Sequence, residues 1–160
     1  MLRKILLGLF ILLLITQFFR PNRNEATGKS NKDITTLYAV PDSVQHVFDK
    51  ACNDCHSNTT RYPWYTNIQP IGWWIAHHIN EGKRHLNFSE YATYPLKRQV
   101  HKMRQIADEI DDDDMPMDSY LWIHKDAKLS PEEKAVVMNW SKAIYATMPD
   151  SLKKKKKEQH

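Results

Sequence analysis

Cysteine occurs only twice in 160 residues, as Cys52 and Cys55. That scarcity excludes a structural zinc site built from two cysteine pairs, because no second pair exists to complete the coordination sphere. The period-two alternation of half-buried strands is also missing. A thioredoxin-like setting for the cysteines, which needs a βαβ context, therefore has no support. No internal repeat is present. Nor is there a basic groove, although the net charge is +4. Residues 1–25 hold four basic side chains against one acidic, and Lys153 to Lys157 are opposed only by Glu158. Residues 26–152 carry 14 basic and 17 acidic side chains, a charge of −3. A body of that sign has nothing with which to track phosphates, so nucleic acid is not an expected partner.

What is present is Cys52-Asn53-Asp54-Cys55-His56. At this spacing each thiol can add across one vinyl group of a haem, and the adjacent histidine then sits under the iron as proximal ligand. One covalent haem c, held by Cys52, Cys55 and His56, is the expected cofactor. The competing reading is a haem-free Cys-x-x-Cys thiol oxidoreductase, in which His56 would be a coincidence.

The ends suggest a compartment. Met1-Leu2-Arg3-Lys4 leads into an apolar run, Ile5 to Phe19, broken only by Gly8, Thr16 and Gln17. The run falls short of the ~20 residues of a comfortable span. It reads as a signal-anchor or a secretory signal, and the anchor is preferred because Phe18-Phe19-Arg20-Pro21 is a poor cleavage site. Haem thioethers of this kind are made on the periplasmic side. The expectation is thus a bacterial inner-membrane protein, its haem domain facing the periplasm, with a cleaved secreted form as the alternative. Four segments follow: a transmembrane anchor at 1–20, a flexible tether at 21–37, a haem-binding domain at 38–148 and a basic disordered tail at 149–160.

The domain is expected to be all-α. Pro41-Asp42-Ser43 opens a first helix, with Asp42 and Gln45 spaced as a capping box. Val44, Val47, Phe48, Ala51 and Cys55 form its apolar stripe. A second helix starts near Pro70, carries Ile71, Trp74, Ile75, His78 and Ile79, and ends at Gly82. A third runs through Val100, Met103, Ile106, Ala107 and Ile110, and ends at the acidic run Asp111 to Asp114, where negative charge opposes the helix dipole. Ser130, Pro131 and Glu133 supply the N-cap, first position and capping box of the last helix. Val136, Val137, Trp140 and Ile144 give it a buried face.

A haem held by His56 has a second axial position. Met115 is the first candidate, because Met115-Pro116 follows a helix stop in an irregular segment that can bring sulfur to iron. Met117 is its near competitor, and His78 is the strongest histidine, lying on an apolar helix face. Met103 and Met138 lie in helical stripes and read as core residues. His77, His85, His101 and His124 read as surface residues. The second ring nitrogen of His56 needs a partner, for which the carbonyls of Pro63 and Pro70 are candidates. Tyr62, Trp64 and Tyr65 divide evenly between pocket walls or haem-propionate donors and ordinary packing.

These residues resemble a known pattern. Phe48 before the haem motif, then Tyr62-Pro63-Trp64-Tyr65, the stretch Glu81 to Ser89, Met115-Pro116, Ser119-Tyr120 and Leu129-Ser130-Pro131-Glu132-Glu133 resemble small class I cytochromes c. More closely, they are similar to the bacterial haem-binding domain family of membrane-anchored mono-haem c-type cytochromes. The resemblance implies a cytochrome c-like helical domain wrapped around one haem, behind an N-terminal membrane helix. It also implies first and last helices crossing so that Phe48 meets Trp140, and His56 and Met115 as axial pair. Met117 stands where the family pattern often has a second proline, so Met115 and Met117 both stay open.

The leading functional expectation is a membrane-tethered electron carrier serving unidentified redox partner proteins. A haem-based redox or gas sensor is the alternative. A peroxidase is not expected, because no distal His and Arg arrangement is identifiable. Asp111 to Asp114 reads as a solvated acidic loop in preference to a docking face.

Overall fold

In the computed structural model, which describes residues 1–153, the chain forms seven α-helices among those residues, joined by loops, short 3-10 turns and one π-turn. They are α1 (Leu2–Thr16), α2 (Asp42–Val47), α3 (Asn53–His56), α4 (Ile71–His85), α5 (Leu96–Asp111), α6 (Asp118–Leu121) and α7 (Pro131–Thr147). No strand forms among the described residues; one isolated bridge pairs Glu25 with Thr59. The all-α expectation holds for the domain. The expected tail begins with a 3-10 turn at Asp150–Leu152, and its residues 154–160 lie outside the described residues.

The membrane helix is corrected. At ~1.5 Å per residue, the 15 residues of α1 extend about 22 Å, less than the ~30 Å of a hydrocarbon core. No helix among the described residues is long and apolar enough to cross a membrane. Polar side chains end α1 early. Thr16 Oγ1 and Gln17 Nε2 both donate back to the Leu13 carbonyl, at 2.7 and 2.8 Å. The Gln17 amide also exchanges two hydrogen bonds with the backbone of Gln69. The single-pass inner-membrane anchor is therefore not supported.

The segment expected as a flexible tether, 21–37, is held along the domain. The Asn24 amide donates to the Ser57 carbonyl and Thr60 Oγ1, while the Tyr62 hydroxyl accepts from the Asn24 backbone N–H. Ile34 is 2 % exposed and belongs to the core. Polar composition concealed this role, because the bonds are made to partners far along the chain.

α5 and α7 form the main helix pair, with α2 laid against α7. Val100, Met103, Ile106 and Ile110 of α5 meet Val137 and Trp140 of α7 in one core with Val44, Val47 and Phe48. Phe48 stacks on Phe88 at 4.5 Å between centroids and meets Trp140 edge-on at 5.5 Å. The Trp140 indole N–H is satisfied by the Ala39 carbonyl at 2.9 Å. Ser130 and Glu133 form the expected reciprocal capping box. Lys50 then reaches the Glu133 carboxylate at 2.7 Å, tying α7 to the turn before the cysteines. The capping box expected at Asp42 and Gln45 does not form: Pro41 occupies the N-cap, and Gln45 Nε2 donates to Asp49 instead. α5 stops as expected at Asp111, and Asp113 takes a left-handed φ of 62°, a conformation that Asp tolerates better than most residues.

Two substitutions rank these features. Phe48→Ala is expected to cost about 3–5 kcal/mol, since it opens a cavity between two aromatic partners. Ser130→Ala should cost only about 1 kcal/mol. Urea unfolding of both variants measures the order, and a Ser130→Ala loss equal to that of Phe48→Ala would contradict it.

Candidate functional site

The helix that opens at Pro41 does not run regularly into the cysteines. After α2 the backbone widens into a π-turn over Phe48–Cys52 and tightens again as α3. Such insertions are frequent at functional sites. Here the turn spaces the buried Phe48 from Cys52, at the start of the Cys-x-x-Cys-His sequence.

α4 packs against α3, and a glycine allows the approach. A Cβ on Gly82 would lie 2.6 Å from the Cys55 carbonyl oxygen and 3.1 Å from its Cβ. Gly82 was expected to end its helix, yet α4 continues to His85. Its role is close contact with the cysteine turn.

His56 is oriented from the far end of α4. Its Nδ1 lies 2.9 Å from the Leu86 carbonyl. A carbonyl can only accept, so Nδ1 carries the proton and Nε2 keeps its lone pair. Burial lowers the His56 pKa, partly opposed by the Leu86 and Gly82 carbonyls, which favours the neutral ring that a metal ligand requires. Pro63 and Pro70 do not supply this carbonyl. The Pro63 carbonyl accepts from the Thr66 backbone and hydroxyl, and that of Pro70 accepts from Trp74 N–H.

A cavity of about 560 Å³ opens beside His56. Its walls include every expected site residue: Cys52, Cys55, His56, Met115, Met117 and His78. Phe48, Leu86, Phe88, Ile106, Ile110 and Val137 make it largely apolar, with Glu81, His85, Lys102, Gln105 and Glu109 as its polar part. The volume suits a sizeable cofactor, being within the ~300–1,000 Å³ of typical ligand sites. A flat apolar group with carboxylate tails and a metal centre fits this donor set. The family known as haem-binding domain matches residues 11–143. The chain belongs to the haem-binding domain family. No curated protein and no solved structure matches it.

Within this haem-binding domain, the other candidates separate. Met103 is fully buried in the core, and Met138 packs against it. His78 Nδ1 lies 2.9 Å from the Trp74 carbonyl and its ring rests on Trp74, leaving Nε2 uncommitted by these contacts. Of the loop aromatics, Tyr62 binds the Asn24 backbone, Trp64 is exposed, and Tyr65 lines a smaller neighbouring pocket of about 70 Å³. None of the three lines the large cavity.

Cys52 and Cys55 are half-buried and not joined to each other in a disulfide. Burial pushes Cys52 up to about 12 and Cys55 up to about 11, with Cys55 and Asp49 adding to the first and Asp54 to the second. Asp54, between the cysteines, is buried and bonded to Arg61 and Tyr120. The sequence reading passed over Asp54, Arg61, Leu86 and the packing role of Gly82. Only Asp54 had a local signal, its place inside the motif.

Gly82→Ala is expected to destabilise the domain by roughly 1–3 kcal/mol, because its methyl group would meet fixed backbone. Gly8→Ala is the matched control, with nothing within 4 Å of its Cβ. Equal urea midpoints for the two variants would contradict the close-packing role.

Proposed function

We propose that this haem-binding domain is a mono-haem c-type cytochrome that carries electrons between protein partners. The observation that carries the reading is one apolar cavity walled by two thiols, a histidine of fixed tautomer and two methionines. Cys52 and Cys55 would hold the haem through thioethers, each S–H adding across a vinyl group, so that no oxidant is consumed. Nε2 of His56 would ligate the iron on one side. Met115 would ligate it on the other, with Met117 and His78 as the competing residues. Lys102, on the cavity wall, would offer a cation to a carboxylate of the cofactor.

Bound haem supplies a one-electron couple. The chain's own task is to keep the iron's surroundings alike in both oxidation states. The Leu86 carbonyl holds the imidazole in place, and the apolar walls limit water around it. A neutral thioether as sixth ligand favours the ferrous state relative to a second histidine. Electron transfer then requires no bond to a substrate, and the role is that of a carrier and not an enzyme.

The raised thiol pKa values speak against a dithiol catalyst. Disulfide exchange needs an accessible thiolate, and reactive cysteines have lowered values. Cys52 and Cys55 are shifted the other way.

Acid–acetone extraction and carbon monoxide test this reading together. Haem should stay with the parent protein after extraction and leave a Cys52→Ser/Cys55→Ser double variant. The ferrous parent should be slow to bind carbon monoxide. Complete extraction of haem from the parent would contradict covalent attachment, and a rapid carbon monoxide complex would favour a ligand-binding module.

A further inference from the structure

The segment that carries both methionines is joined to the cysteine motif by one side-chain bond. Met115, Pro116 and Met117 lead directly into α6, whose first turn closes on the Met117 carbonyl through the N–H groups of Tyr120 and Leu121. From α6 the Tyr120 hydroxyl donates to Asp54 Oδ2 at 2.7 Å. Among the described residues, no other hydrogen bond joins residues 115–124 to Cys52–His56.

Asp54 is prepared for this bond. It is 8 % exposed, and Arg61 occupies much of its remaining acceptor capacity. The Arg61 backbone N–H and Nε donate to Oδ1 at 3.0 and 3.2 Å, and one terminal nitrogen donates to Oδ2 at 3.2 Å. The carboxylate is thereby held in one orientation on α3, beside Cys55 and His56. Tyr120 is steadied from its other face, where its ring stacks on His124 at 4.1 Å. His124 in turn meets the Tyr65 hydroxyl at 3.0 Å. Tyr120 itself lines the large cavity, between the methionines and the cysteine turn.

We propose that the Tyr120–Asp54 hydrogen bond is a clasp that positions the methionine segment against the haem face opposite His56, and so sets how firmly methionine sulfur holds the iron. The inference rests on the cytochrome reading above. Tyr120 and Asp54 act through the methionine and are positioning residues. A charge-assisted bond of this length is among the stronger side-chain bonds in proteins. Losing it should free the segment to leave the iron without unfolding the domain, because the core of α2, α5 and α7 contains neither residue.

The test compares haem-loaded parent, Tyr120→Phe and Tyr38→Phe proteins. Intact mass reports covalent haem, the sulfur-to-iron charge-transfer band of the ferric protein reports methionine ligation, and carbon monoxide titration reports its strength. Tyr120→Phe should retain haem, weaken or lose the band, and gain about tenfold or more in carbon monoxide affinity. Tyr38→Phe removes a tyrosine hydroxyl bond remote from the clasp, to Gln99 at 3.3 Å, and should keep the parent band and an affinity within about twofold. A general loss of packing would lower the melting temperature and leave both ligation readouts unmoved. Parent-like ligation in Tyr120→Phe overturns the clasp, as does the same loss in Tyr38→Phe. If Tyr120→Phe does not fold, Asp54→Asn decides: its amide has one acceptor oxygen where the carboxylate uses two, and no charge, so the charge-assisted bond from Tyr120 is lost; the band should weaken, and a parent-like band contradicts the proposal. A parent that carries covalent haem without a sulfur band overturns the clasp alone. A parent that binds no haem overturns the cytochrome reading, and the clasp with it.

Discussion

The hydrogen bond from His56 Nδ1 to the Leu86 carbonyl links the cysteine turn to the end of α4 and also selects the ring nitrogen that faces the cavity. Much of the surrounding structure serves that contact. Gly82 lets α4 lie directly on Cys55, which brings Leu86 within reach. After α4 the chain turns extended at Leu86, which frees its carbonyl from the helix. Asn87 then caps the following 3-10 turn, and Phe88 within that turn packs on Phe48 and beside His56. A histidine ligand is useful only in one tautomer and one orientation, and here the backbone sets both.

The site and the core share a wall. Phe48 belongs to the buried cluster and also lines the cavity, as do Phe88, Ile106, Ile110 and Val137. The apolar side chains on the cavity wall would pack against a bound cofactor. A cofactor that fills it and binds only the folded chain stabilises the fold by linkage. Folding and haem binding are therefore coupled through the same residues. The docked segment before α2 adds a second layer, with Asn24 bridging Ser57 and Thr60 immediately after the haem motif.

Signals confined to a few neighbouring residues were legible in the sequence. The Ser130–Glu133 cap, the stop of α5 at Asp111, the stripes of Val100 to Ile110 and the Cys-x-x-Cys-His pentapeptide all occur where their local chemistry places them. Phe48 and Trp140 also meet as the resemblance implied. What was missed depends on distant partners. Nothing local marks Leu86 as the carbonyl for His56, or Gly82 as a contact glycine where a helix end would serve equally well in the sequence. Asn24 and Gln17 look like solvated residues until Thr60 and Gln69 are folded beside them. The Asp42 cap failed by one position, because Pro41 already closes the first turn with its own carbonyl. Hydropathy suggested a membrane span from an apolar run whose helix stops at Thr16.

The central claim is that Cys52, Cys55 and His56 hold one haem covalently. Its most direct test is intact mass together with the pyridine haemochrome spectrum of the denatured protein, produced alongside a cytochrome c maturation system. The account predicts the mass of the chain plus one haem and a c-type α-band. An apo mass with two alkylatable thiols, despite competent maturation, would contradict it.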